Sequence, residues 1–476
     1  MGESSRTISE HPKLTTTADS VKLVRALRSG RPPGRLFVVG LVLMCAAILS
    51  AQQPAIDIPP QTDTRQDTTS NPVTLAQPLE QGLRNYVNFY AFGNGVYDSA
   101  FPVYQDGQFN NATADQGAWG YEVGGGVTAS HDFNRGSIDL SYRGGYRNYQ
   151  SSTYGSGTDQ NLSLSVRKAL SRKWGVSFSQ IAGVFLNGGT YFSLQPSQSN
   201  SVEANPYGQN TKFLTSSLTL SYQQSLRLSY EFGGDFFLTR YGGAAPFGTT
   251  GGTGSATVLY RLTKRTTASG TYSHTYYTYQ GNAGQSNSDS AYLTLSHDFS
   301  SRWHGGVSGG VSRVHSLGTV LLPFVFLVNN SVAGAYVPGR YNQTTMFPYF
   351  QASLTRAWKR SQFTVNGGQN VNAGNGIFLA SRNDFANGFY SYGKQRWNIG
   401  FGGNYSRLIS VSNAASSYTS LSFSGSIGYF LMRHLGLNLR YDYADYGSLG
   451  TVGGRIDHRA TFGFIVSSKN IPATLF

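Results

Sequence analysis

The chain contains Ser-His-Asp-Phe twice, at 130–133 and again at 296–299, and these are its most obvious candidates for acid–base chemistry. A histidine and an aspartate can share a proton only if both side chains reach one point in space. Each copy runs straight into a cluster of turn residues, so both are expected at a junction between strand and turn. The eight histidines are otherwise scattered, with neither HExxH nor any other metal-ligand spacing. "GTTGGTGSAT" at 248–257 is rich in glycine, but no lysine follows it and no helix is expected after it, so it does not describe a phosphate cradle. The single cysteine, Cys45, lies in an apolar run near the N-terminus. If that run is removed, the remaining chain has no thiol for a disulfide or a metal site. The chain is therefore not read as an enzyme, and no catalytic residue, metal or cofactor is assigned.

A second kind of chemistry is suggested by charges set at alternate positions. Asp139, Arg143 and Arg147 share a parity opposite to Ile138, Leu140, Tyr142 and Tyr146; Arg227, Glu231 and Asp235 do the same against Leu226, Leu228, Tyr230 and Phe232; Arg440 and Asp442 do so against Leu437, Leu439 and Tyr441. In an extended strand this parity places all the charges on one face. Such a face can line a passage and select what enters it, or its arginine–carboxylate ladders can brace a wall. Ser420, Ser422, Ser424 and Ser426 continue the polar face with small hydroxyls, which leaves room inside.

The elements that would carry these faces are legible along most of the chain. Of 476 residues, 58 are Gly, 31 Tyr and 29 Phe, while only 13% are charged, a balance that favours strands over disorder. "LTLSHDFSSRWHGGVSGGV" from Leu293 alternates apolar and polar residues, breaks at a short polar knot, and alternates again, which is the pattern of a β-hairpin. The same plan recurs to the C-terminus, with short turns alternating with longer segments rich in Gly, Asn, Ser and Pro. Strands are expected at 84–98, 119–131, 136–148, 159–169, 174–187, 211–223, 226–240, 252–263, 266–280, 288–299, 303–316, 343–357, 361–372, 382–392, 396–410, 417–430, 435–446 and 455–467. That makes about 18 strands, or 16 if the weakest, 382–392, is excluded. Short turns at one end and long loops at the other describe an all-β, antiparallel, up-and-down transmembrane barrel. Among sheets, only a closed one satisfies its own backbone inside hydrocarbon. At ordinary strand spacing and tilt this wall would be ~35 Å across.

Trp119, Trp174, Trp303, Trp358 and Trp397 fall near strand ends, together with Tyr121, Tyr276, Tyr277 and Tyr279, as aromatic girdles at the two membrane interfaces would require. Lys and Arg crowd the short turns, where they solvate the turn or meet acidic headgroups. The segment 317–341, "LGTVLLPFVFLVNNSVAGAYVPGRY", is too apolar for a loop in water. It is expected to narrow the barrel mouth through Phe324, Phe326, Tyr336 and Arg340, the alternative being an extended strand pair at the rim.

Residues 1–51 have a basic flank and an apolar core, "LFVVGLVLMCAAILSA", and are read as a secretory signal peptide with a long basic n-region. Residues 52–83, rich in Pro, Gln and Thr, are read as a disordered periplasmic tail, and 84–476 as the barrel. The net charge is +14, of which +4 lies in 1–51. An exported chain is not expected to meet nucleic acid, so acidic lipid or anionic solutes are the better partners for this charge.

With an export signal, a series of hairpins and a terminal Phe476, the chain resembles the Gram-negative outer-membrane β-barrel class, porin-like members included. That resemblance implies an outer-membrane location, surrounding lipid, and insertion by the barrel-assembly machinery through a C-terminal aromatic. The chain departs from the pattern at "SSKNIPATLF", where Pro472 interrupts the strand before Phe476 and leaves Phe464 as a second candidate signal. "AFGNGVYDSAF" at 91–101 is faintly similar to barrels associated with exopolysaccharide secretion. The function implied is a porin-like channel for passive passage of small solutes, anions among them. The alternatives are an exopolysaccharide conduit with a periplasmic export partner and a non-conducting structural or binding barrel. A homo-oligomer is compatible with each.

Overall fold

The structure is a computed structural model that describes residues 85–99, 103–105, 108–110, 117–150, 156–185, 211–241, 248–279, 284–328, 331–373, 380–394, 396–411, 417–447, 455–468 and 471–472. The expected signal peptide and tail, and Phe476, lie outside them. The described residues form strands β1 (Tyr86–Asp98), β2 (Val103–Gln105), β3 (Gln108–Asn110), β4 (Ala118–Phe133), β5 (Gly136–Tyr149), β6 (Gly157–Ala169) and β7 (Trp174–Phe185). There follow β8 (Thr211–Gln223), β9 (Leu228–Tyr241), β10 (Thr249–Arg261), β11 (Thr266–Tyr279), β12 (Gly284–Ser300), β13 (Trp303–Val328) and β14 (Ser331–Ala357). The last are β15 (Ser361–Ala373), β16 (Ala380–Lys394), β17 (Trp397–Ser410), β18 (Ser417–Phe430), β19 (Leu435–Tyr446), β20 (Arg455–Ser467) and β21 (Ile471–Pro472).

Strands β4 to β20 each pair antiparallel with their sequence neighbours, and β1 closes the sheet by pairing with both β4 and β20. Tyr86↔Ser130 through Asp98↔Ala118 form one of the closing ladders, and Tyr90↔Ser467 through Asp98↔Arg459 the other. The wall thus has 18 strands and no edge for most of its height. β2 and β3 form a separate hairpin, and β21 adds one short pairing to β1. The segment 382–392, the weakest on sequence, is a full wall strand, β16.

The tight turns share a device. Ser171 Oγ accepts the N–H groups of Lys173 and Trp174, Ser225 Oγ those of Arg227 and Leu228, Thr263 Oγ1 that of Arg265, and Ser300 Oγ that of Arg302, at 3.0–3.2 Å. A short hydroxyl side chain bonding a backbone two or three residues on is a local alternative to the ladder, and it ends the strand there. Asn134-Arg135 forms a two-residue turn between Phe133 and Gly136 and places Arg135 at φ 80°.

The 317–341 segment continues β13 and β14. Its backbone ladder runs unbroken from Leu317↔Asn342 to Val328↔Ser331. The backbone therefore takes the extended strand-pair form; the side chains of Phe324, Phe326 and Tyr336 lie outside the described residues, and Arg340 is exposed.

Candidate functional site: the inner wall

Burial alternates along strands such as β1, β10 and β18 and identifies the two faces of the wall. On β5, Ile138, Tyr142 and Tyr146 are exposed on the outside, while Ser141 and Arg147 are buried on the inside. On β18, Phe423 and Ile427 face out, and Ser420, Ser422 and Ser424 face in. The outer face carries Leu293 at 73% exposure and Phe462 at 61%, values that make sense only against an apolar surrounding.

The expected wall charges meet partners that parity could not name. Arg143 Nη2 donates to Glu122 Oε1 at 2.8 Å, and its guanidinium lies 4.4 Å from the centre of the Phe92 ring. Arg147 bridges two strands, at 2.9 Å from Asp159 and 3.7 Å from Glu122. Asn94 Nδ2 donates to the second oxygen of Glu122 at 3.3 Å. Beside this group Asp98, fully buried, accepts from both Tyr149 Oη and Arg459 Nε. Arg440 reaches Asp442 through Nε and Nη2 at 2.8–2.9 Å, and Asp442 stands opposite Arg459 in the ladder. One continuous charged band therefore spans β19, β20, β1, β4, β5 and β6. Gly124 and Gly126 make room for it, because a Cβ there would meet the Phe92 and Tyr90 rings at 2.6 and 2.3–2.5 Å.

The remaining expected charges behave differently. Asp139 accepts from Ser130 Oγ at 2.7 Å, and Asp235 accepts from Ser217 Oγ. Glu231 faces inward from β9 with no ion-pair partner among the described residues. Arg227 is not on the wall: β9 begins one residue later, and Arg227 is exposed in the turn held by Ser225.

From β8 to β13 the inner wall is mostly hydroxyl-bearing. Thr253–Thr275, Thr257–Thr271, Ser286–Ser316, Ser290–Ser312 and Thr294–Ser308 are hydrogen-bonded across the ladder at 2.8–3.0 Å. Tyr292 and Tyr349 stack inside it with ring centres 4.4 Å apart. Such a surface offers neutral donors and acceptors along the wall.

Neither Ser-His-Asp-Phe copy forms a pair. Adjacent residues of a strand point to opposite faces, so His131 and His297 face out while Asp132 and Asp298 face in. His297 instead bonds Thr266 and Asp298 bonds His304, at 2.7 and 2.6 Å. Among the described residues no three His, Cys, Asp or Glu side chains converge as a metal site would need.

Trp119, 63% exposed, faces out at the loop end; Trp174 and Trp397 face out at the short-turn end, in tilted contact with Tyr222 and Tyr429 at 4.6 Å between ring centres. Trp303 and Trp358 flank the Arg356 guanidinium at 4.7 and 4.2 Å. Tyr121 and Tyr276 also face out. Tyr277 and Tyr279 do not: both are turned inward and buried, so they are not girdle residues.

No family model and no curated protein matches the chain. Among solved structures it is similar to the outer membrane protein OpdK of Pseudomonas aeruginosa, at 9% identity and a TM-score of 0.39, covering 81% of this chain and 100% of that one. OccAB4 of Acinetobacter baumannii is similar at 11% identity and a TM-score of 0.37, with 81% and 99% covered. A BenF-like porin of Pseudomonas fluorescens Pf-5 is similar at 8% identity and a TM-score of 0.39, also with 81% and 99% covered.

Proposed function

We propose that the chain is an outer-membrane β-barrel that forms a passive, porin-like channel for small polar solutes. The observation that carries this reading is the division of the wall: large apolar and aromatic side chains outside, hydroxyls and paired charges inside, around a sheet closed by β1. A closed sheet with that division suits lipid outside and water inside. The charged band shapes the field that a solute meets, and the hydroxyl-lined sector offers it replaceable hydrogen bonds. An export signal in 1–51, delivery to the assembly machinery and surrounding outer-membrane lipid belong to the same reading.

Purified protein reconstituted in planar bilayers is expected to give stepwise, ohmic conductance in KCl. A barrel that inserts, resists proteolysis and conducts no ions would contradict the channel and favour a structural or binding role.

A further inference from the structure

The outer face of the wall is not evenly filled. Between β10 and β13 it carries a groove of about 720 Å³, floored by Gly270 and Gly309 and walled by Val258, Leu293, Leu295 and Val307. No charged side chain lines it, and Val258, Leu293 and Leu295 are exposed on its sides, so it lies within the apolar belt. A Cβ on Gly309 would meet nothing within 4 Å, which leaves the groove open at that point.

Toward the short turns the groove leads to a cation. Trp303, at the start of β13, stands opposite Arg356 of β14 and shares the outward parity of Val307 and Gly309. The Arg356 guanidinium is held between the Trp303 and Trp358 rings at 4.7 and 4.2 Å. The indoles fix its position and cover its faces, so only its N–H edge is left for an acceptor. No hydrogen bond or ion pair reaches that side chain among the described residues, and its Nε is buried without an acceptor. Lys264, Arg265, Arg302, Lys359 and Arg360 are exposed on the adjoining turns. Asp298, the carboxylate beside these turns, faces inward and is bonded to His304 at 2.6 Å. Six residues of β13 separate Gly309 from Trp303, a distance of ~20 Å along the strand. At a tilt of ~40° this is ~15 Å of depth, half of a hydrocarbon core of ~30 Å, or one leaflet.

We propose that this strip binds one phospholipid with a net-anionic head, of the phosphatidylglycerol type, in the leaflet at the short-turn end. An acyl chain lies in the groove over Gly309, and the phosphate accepts hydrogen bonds from Arg356 while the turn cations add to the attraction. Basic turns occur all round this rim, and what sets this place apart is a groove of leaflet depth that ends on a clamped guanidinium with no protein acceptor. A zwitterionic phospholipid fills the same groove but leaves the turn charge unbalanced, so it is held more weakly. The proposal rests on the reading of the chain as a membrane barrel, and adds a specific lipid to its wall.

The test is native mass spectrometry of the full chain in detergent, equilibrated with equal amounts of palmitoyl-oleoyl phosphatidylglycerol and phosphatidylcholine. One phosphatidylglycerol is expected to remain on each chain after the detergent is stripped. Arg356→Gln should lower its retention about tenfold, the loss of one charge-assisted bond, and Arg356→Lys should restore most of it. Gly309→Phe fills the groove and should lower retention of both lipids, whereas Arg433→Gln, on the turn between β18 and β19, should change neither. Compact, heat-modifiable gel migration of each variant shows that its wall has closed, so a lost lipid is not a lost fold. Equal retention of the two lipids, retention unmoved by Arg356→Gln or Gly309→Phe, or displacement of the lipid by inorganic phosphate would overturn the site. A chain that stays monomeric in solution without detergent would instead count against the membrane-barrel reading.

Discussion

Glu122→Gln is expected to be one of the most destabilising single-atom exchanges on the inner wall. The carboxylate is 3% exposed and receives Arg143 at 2.8 Å and Asn94 at 3.3 Å, with Arg147 at 3.7 Å. The amide keeps one acceptor oxygen but places an NH2 group where a second acceptor was, so it opposes either Asn94 or Arg143. Arg147 retains Asp159 at 2.9 Å and loses little. Breaking a buried ion pair from one side costs ~3–5 kcal/mol. Arg143 keeps 17% side-chain exposure, so water recovers part of that, and the net loss is put at ~2–3 kcal/mol. Asp235→Asn is the control, since its described partner is the hydroxyl of Ser217 and an amide can still accept from it; it should cost under ~1 kcal/mol. Equilibrium unfolding in denaturant, in the same detergent for all three proteins, reads both differences as midpoint shifts at constant slope. If Glu122→Gln lies within ~0.5 kcal/mol of the parent, the charged band does not brace the wall and the reasoning fails.

Two further outcomes follow from single residues. Glu231→Gln removes an inward carboxylate with no cationic partner among the described residues, so the reversal potential in a KCl gradient should move toward anion preference; an unchanged potential would place Glu231 away from the ion path. Arg135 holds φ 80° in the Asn134-Arg135 turn, where an L side chain is strained by ~1–2 kcal/mol and glycine is not, so Arg135→Gly should raise the unfolding midpoint, and a lower midpoint would show that the side chain contributes more than its backbone costs.

Strand positions were legible because two independent patterns coincide in this chain. Side chains alternate with period two, and hydroxyl residues such as Ser171, Ser225 and Ser300 cap the turns where alternation stops. The inner charges were legible as a face but not as pairs. Arg143 and Arg147 were visible on their own strand, whereas Glu122 sits in the glycine-rich run of the preceding one and Asp159 on the next. Asp98 and Arg459 meet only because the first and last wall strands close the sheet, a contact between residues 361 apart. The rule that apolar residues face out holds in the membrane belt and lapses above it. There Tyr277 and Tyr279 turn inward, and outward positions carry His274 on Asp289 at 2.7 Å and Arg382 on Asp384 at 3.1 Å. The apolar segment 317–341 lacks alternation, so the sequence left a constricting loop and an extended strand pair as alternatives; its backbone pairing is set by continuation of the hairpin below it. Arg227 was misplaced by a single residue, since the strand began after Ser225 had closed its turn.

The inward face of the wall borders a water-filled passage and the outward face borders lipid, and a cysteine scan along β10 tests this most directly. In proteoliposomes of the Cys45→Ala chain, Thr253→Cys, Ser255→Cys and Thr257→Cys should react with a small, charged, membrane-impermeant thiol reagent. Gly254→Cys, Ala256→Cys and Val258→Cys, on the opposite face of the same strand, should stay unlabelled until detergent is added. Equal labelling of both sets, or labelling of neither, would contradict a lipid-facing exterior and a solvated interior.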